Sequence, residues 1–280
     1  MRRPLAAALA FLLLLGGCAA LDRQQREWIF RPTQSTWAAG LAAAEGMQEV
    51  WIGFDSQESG APARLHGLWL PQADPDAPRL LYLHGARWDV RGGAPRMRRL
   101  HALGFAVLGI DYRGFGRSEG SDLPSEALAN EDARAAWDWL GRDAAGAPRY
   151  VYGHSLGGAI AVDLASRADG VAGLMVEGSF PSIPELVSTF RWGWLPLAPL
   201  ITQRFDAAAR MPEVRAPVLV VHGSEDHLVP PTLGRALYER APGRKRFLLV
   251  EGGSHHDSSA RGLDEYRVAV RELFGVAAVE

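Results

Sequence analysis

The sequence predicts an α/β fold in which one mostly parallel sheet of eight strands carries helices on both faces. From residue 49 onward, short apolar runs alternate with helical patterns, as is typical of a parallel sheet covered on both sides. From residue 79 the runs are rich in Val, Leu and Ile and are bounded by Gly or Pro, as fully buried strands are. With 280 residues, the chain can hold this sheet in a single domain.

Eight apolar runs are predicted as strands. They cover 49–55, 64–70, 79–83, 105–110, 149–152, 172–177, 217–222 and 246–251. Helical patterns lie between the later runs, for example at 124–140, 156–168, 231–241 and 258–274. The first two runs are separated by a turn rich in Gly, Pro and Ser, which predicts an antiparallel hairpin.

The first 17 residues have the features of a secretion signal. Arg2 and Arg3 precede an apolar run that ends in four leucines, and two glycines precede Cys18. A basic start, an apolar stretch and small residues before a cut define such signals. Because the small residues stand directly before a cysteine, 1–17 resembles a bacterial lipoprotein signal peptide, with Cys18 as the lipidated residue. The alternative is an uncleaved anchor over 5–21, at the lower limit of length for spanning a bilayer.

This interpretation determines the expected domains and location. Residues 18–48, which from residue 22 are polar and rich in Ala, are predicted to be a lipidated tether and lead-in, followed by a catalytic domain over 49–280. The anchor, with acyl chains such as palmitate, would hold the protein in a bacterial cell envelope, facing the periplasm. Ala19 rather than aspartate follows Cys18, which by resemblance to other lipoproteins favours the outer membrane over the inner.

One stretch interrupts the alternation of strands and helices. Residues 178–215 include Trp192, Trp194 and several prolines. The stretch is too long for an ordinary connection and too rich in proline for one helix. We therefore predict a small cap insertion lying over the edge of the sheet. Its two tryptophans either line an acyl pocket or only close the sheet edge.

The composition excludes several classes of enzyme. Cys18 is the only cysteine, which rules out intramolecular disulfides, cysteine-rich zinc sites and CxxC redox pairs. Lys245 is the only lysine, and it fits no motif in which P-loop proteins, kinases or Ser-x-x-Lys hydrolases need one. The net charge of −2 gives no basic field for nucleic acid. No metal or other cofactor is expected.

The strongest motif is G-H-S-L-G at 153–157, with Ser155 at its centre. It follows the predicted strand 149–152 and opens the predicted helix 156–168. A sharp turn between a strand and a helix presents a strained nucleophile, and its glycines allow close backbone approach. The N-terminus of the helix also directs free N–H groups towards an oxyanion formed there. Ser155 is therefore the candidate nucleophile.

A nucleophilic serine needs a base, and the base needs an acid that orients it. Asp226 and His255 each come just after a predicted strand, so both are expected at the carboxyl edge of the sheet. Their order after Ser155 is that of hydrolases with a nucleophile between strand and helix. Glu225 and His256 are the adjacent alternatives for the acid and the base.

Four blocks between 79 and 257 resemble the serine hydrolases of the α/β-hydrolase fold. They are L-Y-L-H-G at 81–85, D-Y-R-G-F-G-R-S-E-G at 111–120, G-H-S-L-G-G at 153–158 and H-G-S-E-D-H-L-V-P at 222–230. Within that superfamily the chain is similar to small-capped esterases and lysophospholipase-like proteins, including the serine aminopeptidase-like branch. The resemblance implies a triad of Ser155, Asp226 and His255, because the family's histidine also comes two residues after a glycine.

The resemblance also implies the remaining parts of the site. The N–H groups of Leu156 and Ala86 are expected to hold the oxyanion, with Arg87 as the alternative to Ala86. The loop A-R-W-D at 86–89 departs from the Asn-Ala-Gly of many relatives. The implied activity is hydrolysis of carboxylic esters, of short acyl groups or lysolipids, through an acyl-enzyme. A thioesterase, amidase or acyltransferase, and a catalytically silent envelope-binding lipoprotein, stay open as alternatives.

Other polar residues are expected to be structural. Asp111 is predicted to hold the turn at Arg113 and Gly114. Four arginines near 95 are interpreted as a solvated helix face rather than an anion site, namely Arg91, Arg96, Arg98 and Arg99. Three histidines that precede glycines or lie in loops are expected to pack around the site, namely His84, His154 and His222.

Overall fold

The computed structural model describes residues 2–121, 123–142 and 146–277, with side chains from residue 16 onward. Its strands are β1 (Gln48–Asp55), β2 (Pro62–Leu70), β3 (Arg79–Leu83), β4 (Ala106–Ile110), β5 (Arg149–His154), β6 (Val171–Glu177), β7 (Val218–Gly223) and β8 (Lys245–Val250). They form one sheet in the order β1-β2-β4-β3-β5-β6-β7-β8. β2 pairs antiparallel with β1 and β4, and all other neighbours are parallel. The predicted eight-stranded, mostly parallel sheet is confirmed.

Helices cover both faces of this sheet. They are α1 (Arg2–Phe30), α2 (Ala38–Ala44), α3 (Ala94–Ala102), α4 (Glu126–Gly141), α5 (Leu156–Arg167), α6 (Ile183–Ser188), α7 (Ala207–Arg210), α8 (Pro231–Arg240), α9 (Ser258–Arg261) and α10 (Leu263–Phe274). Short 3-10 helices occupy Val90–Gly93, Ala198–Leu200 and Met211–Glu213. The helix predicted over 258–274 is divided at Gly262, where a side chain would contact Val250.

The alternation of side chains along each strand divides the core into two layers. Leu81 and Leu83 of β3 pack with α4 and α5 on one face, against residues such as Trp137. Leu80 and Tyr82 of the same strand pack with α3 and α10 on the other face. Successive side chains of a strand point to opposite faces, so a strand that is apolar throughout requires helices on both sides.

Parts of the segment 22–47, which belongs to the predicted tether and lead-in, lie against the domain. Phe30 at the end of α1 is 0% exposed and packs edge-on against Phe115 and Phe205, with centroid distances of 6.3 and 5.6 Å. Arg26 donates to the carbonyl oxygen of Pro124 at 2.8 Å. The polar composition that suggested a tether comes from the outer side of a helix whose other side is packed.

The predicted signal peptide begins at Met1, which lies outside the described residues. Cys18 lies within α1 and is exposed. Among the residues that the structure describes, no helix has both the length and the apolar character needed to cross a bilayer.

The predicted cap insertion, 178–215, connects β6 to β7 at the carboxyl edge of the sheet. Phe180 and Phe205 anchor its two ends, each with 2% of its surface exposed. A backbone hydrogen bond of 2.9 Å from Ala208 to Pro181 also joins the two ends. Between them, residues 190–200 lie on the outside and expose several large apolar side chains.

Candidate active site

Ser155 lies in the turn that joins β5 to α5. Its φ of 56° and ψ of −121° place a residue with a side chain in a region that is strained for all but glycine. Its N–H donates to the carbonyl oxygen of Glu177 at 2.9 Å, which holds the turn against β6. Ser155 is partly exposed between buried neighbours, so the turn presents its hydroxyl at the sheet edge.

Gly157 shows why the motif needs glycine beside the serine. A methyl group at this position would lie 2.2 Å from the carbonyl oxygen of Leu83, which is impossible without moving the backbone. The close approach presses the start of α5 onto the end of β3. It also places Ser155 beside the loop after β3, since a methyl group on Gly85 would lie 3.1 Å from Ser155 Cβ.

Asp226 and His255 are joined by a hydrogen bond between the loops after β7 and β8. His255 Nδ1 lies 2.7 Å from Asp226 Oδ2, and the side chains are 6% and 0% exposed. Glu225 and His256, the adjacent alternatives, are both exposed. The structure therefore joins the two residues that the sequence singled out and leaves their neighbours at the surface.

The carboxylate of Asp226 is held from both sides. Its Oδ1 accepts the N–H groups of Leu228 at 3.0 Å and Val229 at 2.8 Å. Its Oδ2 lies 3.3 Å from His222 Nε2 as well as near His255. Burial alone would raise the pKa of Asp226, but the hydrogen bonds from His222 and His255 hold it well below its ordinary value. Asp226 is consequently ionised at neutral pH.

Gly178 lies between the turn of Ser155 and the pair of His255 and Asp226. A side chain here would contact both the His255 ring and the Asp226 carboxylate, since a methyl group would lie 3.3 Å from His255 Nδ1 and 3.5 Å from Asp226 Oδ2. Its φ of 59° also favours glycine. Glu177, the residue before Gly178, accepts the N–H of Ser155. The segment 177–178 therefore lies between Ser155 and the pair of His255 and Asp226.

The loop after β3, which approaches Ser155 at Gly85, contains the two backbone N–H groups that the sequence offered as oxyanion donors. The N–H of Arg87, the alternative donor, is bonded to the carbonyl oxygen of Phe30 at 2.8 Å. Within the described part of the chain, the N–H groups of Ala86 and Leu156 donate to no protein acceptor. Arg87 and the next residue both have positive φ, 64° and 54°, so a strained turn supports this loop. The structure therefore leaves Ala86 and Leu156 available, and not Arg87.

Arg96 belongs to a buried cluster that the sequence did not reveal. The prediction of a solvated helix face is wrong for this residue, since its side chain is 11% exposed and lies 3.3 Å from the buried carboxylate of Glu177. Its Nη2 also donates to the carbonyl oxygens of His255 at 3.2 Å and His256 at 3.0 Å. One arginine thus ties α3, the end of β6 and the histidine loop together.

Glu177 completes this cluster with two tyrosines. The hydroxyl groups of Tyr152 and Tyr266 both donate to its Oε2. Burial opposes ionisation, but Arg96 and the two hydroxyl groups keep the pKa of Glu177 below its ordinary value. An ion pair between residues 81 positions apart leaves no local pattern, so the sequence offered no signal for it.

Three other predicted residues are structural. Asp111 is buried and binds His66 Nδ1 at 2.8 Å and the N–H of Val90 at 2.6 Å, rather than the turn at 113–114 as predicted. His84 Nδ1 lies 2.7 Å from the carbonyl oxygen of Gly85. His154 Nε2 lies 3.0 Å from the carbonyl oxygen of His255. Within the described residues, no group of three His, Cys, Asp or Glu side chains is placed to hold a metal ion.

Comparisons with known proteins agree with this architecture. The model of the family described as serine aminopeptidase, S33, matches residues 75–207 and 200–257. An uncharacterized protein of Mycobacterium tuberculosis (strain H37Rv) is 34% identical over 253 residues, covering 89% of this chain and 87% of that protein. An esterase of Pyrococcus furiosus has a TM-score of 0.67 at 18% identity, covering 87% of this chain and 98% of the esterase.

A further relative is named for its activity. The lysophosphatidylserine lipase ABHD12 of Danio rerio is 33% identical over 183 residues, which cover 59% of this chain and 47% of the lipase. The chain therefore spans about half the length of that protein. From the family match, the sheet and the serine turn together, we conclude that the chain is a hydrolase of the α/β-hydrolase fold and belongs to the serine aminopeptidase S33 family.

Proposed function

We propose that this chain is a membrane-tethered serine hydrolase that cleaves carboxylic esters through Ser155, His255 and Asp226. The observation that carries the proposal is the hydrogen bond of 2.7 Å between His255 and Asp226, next to the segment that also binds the strained Ser155. A serine, an imidazole and an ionised carboxylate in this arrangement are the components of nucleophilic acyl transfer.

The proposed reaction begins with attack on the ester carbonyl. His255 donates its Nδ1–H to Asp226, which leaves the lone pair of Nε2 free to accept the Ser155 hydroxyl proton. As Oγ bonds to the carbonyl carbon, the carbonyl oxygen becomes an oxyanion. The free N–H groups of Leu156 and Ala86 would stabilise this charge, and Asp226 would stabilise the imidazolium.

The second half of the reaction regenerates the enzyme. The tetrahedral intermediate breaks its bond to the alkoxy group, which leaves as the alcohol with the proton from His255 Nε2. A water molecule then gives a proton to the same nitrogen and attacks the acyl-enzyme. Collapse of the second intermediate releases the acid and returns the proton to Ser155.

Two features support a lipid-like ester as substrate. A relative named as a lysophosphatidylserine lipase shares 33% identity with this chain. The sequence before Cys18 resembles a lipoprotein signal, and Cys18 itself is exposed on α1. We propose that lipidation of Cys18 holds the enzyme at a bacterial membrane, facing the periplasm and preferentially in the outer membrane, with short acyl esters or lysolipids as substrates.

The ester specificity is tested with p-nitrophenyl esters of increasing acyl length, using Ser155→Ala as the control. We expect hydrolysis of at least one chain length by the wild type and loss of that activity in the variant. Negligible hydrolysis of every ester, together with turnover of thioesters or amides, would replace the ester proposal with the alternative acyl substrates. No turnover of any acyl substrate would favour a silent binding protein.

The proposed anchor is tested separately by mass spectrometry of the N-terminal peptide of the protein from a bacterial host. We expect a chain that begins at Cys18 and carries acyl chains. In Cys18→Ser the acylated form should be absent. A wild-type peptide that begins upstream of Cys18, with no added lipid, would refute the anchor while leaving the hydrolase proposal intact.

A further inference from the structure

The outer part of the cap concentrates exposed apolar side chains. Of the fourteen large hydrophobic residues that are exposed among the described residues, six lie between 190 and 200. We call these six the cap surface, namely Phe190, Trp192, Trp194, Leu195, Leu197 and Leu200. Trp192 and Trp194 are 60% and 74% exposed, so neither side chain lines an enclosed acyl pocket. An exposed apolar patch of this kind indicates an interaction site.

The charges around the cap surface favour a lipid bilayer as its occupant. The twenty residues 186–205 contain no Asp or Glu and two arginines, Arg191 and Arg204. The guanidinium carbon of Arg191 lies 5.4 Å from the ring centroid of Trp192. Tryptophan beside a basic residue suits the boundary between headgroups and acyl chains. Anionic lipid headgroups would attract these arginines. Carboxylates would repel the headgroups, and this segment has none.

The N-terminal helix contacts this same side of the molecule. Gln25 of α1 donates to the carbonyl oxygen of Leu200 at 2.8 Å and accepts the N–H of Thr202 at 2.9 Å. Asp22, one turn earlier, accepts from Thr202 Oγ1 at 2.7 Å and from Gln203 Nε2 at 2.8 Å. The helix that carries Cys18 is thus bonded to the end of the cap surface.

The helical repeat brings Cys18 to the cap side as well. Residues three, four and seven apart share a helix face, so Cys18, Leu21, Gln25 and Trp28 line one side of α1. Leu21 and Trp28 are 40% and 68% exposed and flank the contact that Gln25 makes with the cap. Because Cys18 precedes Gln25 by seven residues, it lies about 10 Å from that contact along the helix.

We propose that the cap surface, with Leu21 and Trp28, enters the interface of the bilayer in which the protein is anchored. The inference rests on the proposed lipid anchor at Cys18 and specifies how the catalytic domain is oriented on the membrane. The cap begins at Gly178, which lies beside His255 and Asp226, since a methyl group there would contact both. Binding of the cap to the bilayer therefore turns the carboxyl edge of the sheet towards the lipid, and a lipid ester reaches Ser155 from the membrane side.

Tryptophan fluorescence in vesicles tests this orientation without any need for turnover. The full chain is reconstituted into vesicles of phosphatidylglycerol and brominated phosphatidylcholine, since bromine quenches only tryptophans at the acyl region. We expect the double variant Trp192→Phe/Trp194→Phe, which keeps an apolar cap, to lose more than half of the quenchable signal. Trp37→Phe, which removes an exposed tryptophan outside the cap, should lose none.

Two results, one from fluorescence and one from the oligomeric state, would overturn the inference. Equal quenchable signals in the wild type and the double variant would place the cap away from the lipid, whether or not the chain remains bound to the vesicles. Self-association in lipid-free detergent that Trp192→Ser/Trp194→Ser abolishes would assign the surface to a second copy of the chain.

Kinetics separate this inference from the proposed function. With lysophospholipid in vesicles, Trp192→Ser/Trp194→Ser is expected to raise the apparent KM about tenfold, with unchanged kcat and unchanged hydrolysis of a water-soluble ester. The control Leu249→Ser/Val268→Ser changes exposed apolar residues outside the cap and should have no effect. An unchanged KM in the cap variant would refute the surface. Failure of the wild type to hydrolyse any ester would instead refute the proposed function.

Discussion

One carboxylate oxygen of Asp226 lies close to two imidazole rings. Its Oδ2 is 2.7 Å from His255 Nδ1 and 3.3 Å from His222 Nε2. The first contact selects the tautomer of His255 that can accept a proton at Nε2. The second comes from a fully buried ring whose Nε2 also lies 2.8 Å from the carbonyl oxygen of Val229. His222 therefore supports the acid rather than the reacting atoms.

Replacing Asp226 with asparagine should damage the chemistry more than substrate binding. In Asp226→Asn, the side chain can donate to His255 and favour the wrong tautomer, so kcat should fall about 10³- to 10⁴-fold. KM for a soluble ester should change little. Steady-state kinetics at neutral pH provide the measurement. Glu225→Gln, which alters an exposed neighbour, should retain activity, and a larger loss there would transfer the role of the acid to Glu225.

Arg96 is a positioning residue, because it holds the backbone of the histidine loop and contacts no reacting atom. Arg96→Gln removes two donors to the carbonyl oxygens of 255 and 256 and leaves Glu177 without its cation. We expect kcat to fall about tenfold to a hundredfold, with KM for a soluble ester nearly constant. Assays at a temperature where circular dichroism shows folded protein separate this effect from unfolding.

Arg98 provides the matched control for this measurement. It lies on the same helix but binds carbonyl oxygens of α2 and Glu45, away from the site. Arg98→Gln should keep its kcat. Equal losses of kcat in the two variants would show that α3 acts only through general stability.

The residues of the site were predictable to different degrees. Ser155, Asp226 and His255 each follow a strand in a fixed chain order, so their meeting at one edge follows from parallel topology. Arg96 and Glu177 were not predictable, because their pairing spans 81 positions and α3 carries the charges of an ordinary surface helix. The sequence could not exclude Arg87 as an oxyanion donor, because its N–H is bonded to the carbonyl oxygen of Phe30, a contact between distant segments.

At the scale of elements, all eight strands were predictable because each coincides with a short, largely apolar run, and from residue 79 onward these runs are bounded by Gly or Pro. The packing of α1 against the domain was not predictable from the sequence. It depends on contacts of Phe30 with Phe115 and Phe205, which come from distant parts of the chain. The helix that ends at Phe30 supports the loop of Arg87 through a backbone hydrogen bond. The N-terminal segment consequently contributes to the geometry beside Ser155.

A buried ion pair joins the loop after β4 to α4, and its contribution to stability can be compared with that of a surface pair on the same helix. Arg113 and Asp132 form an ion pair in which both side chains are 0% exposed. Burial raises the pKa of Asp132 to about 7, so this pair is incompletely ionised at neutral pH. Asp132→Ala would leave the buried guanidinium with Glu131 as a carboxylate partner and should lower the free energy of unfolding by about 3 kcal/mol. Urea denaturation measures the change.

The control for this change lies two turns along the same helix. Asp138 pairs with Arg134 at the surface, where the side chains are 51% and 55% exposed. Asp138→Ala should therefore change the free energy of unfolding by less than about 1 kcal/mol. Similar losses in the two variants would show that burial of the Arg113 pair does not determine its contribution.

At the scale of the whole molecule, the two buried carboxylates whose pKa values are lowered predict loss of stability in acid. Asp226 and Glu177 both have pKa values below their ordinary ones, so the unfolded chain binds protons at a higher pH than the folded chain. Their stabilisation is complete above the ordinary carboxyl pKa of about 4 and is lost as the pH falls below it. Urea unfolding between pH 4 and pH 2 should show this decline, since the opposite change from Asp132, whose pKa burial raises to about 7, is largely complete at pH 4.

The variant Asp226→Asn provides the comparison for acid stability. Because it removes one of the two carboxylates, its free energy of unfolding should decline less steeply below pH 4 than that of the wild type. A decline of the same steepness in both proteins would show that Asp226 is not the source of the acid sensitivity.

The parallel sheet, the cap and α1 together give the molecule one functional side. The loops after β3, β5, β7 and β8 bring the proposed oxyanion donors, nucleophile, acid and base to the same edge. The cap connects to that edge at Gly178, and α1 contacts the cap through Gln25. This arrangement places the proposed anchor, the proposed lipid surface and the proposed chemistry on connected elements.

The central claim is that Ser155 is the nucleophile of an acyl-transfer reaction. The most direct test is reaction of the protein with a fluorophosphonate, followed by mass spectrometry of the peptide that contains Ser155. We expect a phosphonyl group on Ser155 of the wild type and no labelling of Ser155→Ala. A wild-type protein that is folded and stays unlabelled, or that is labelled equally in the variant, would contradict the claim.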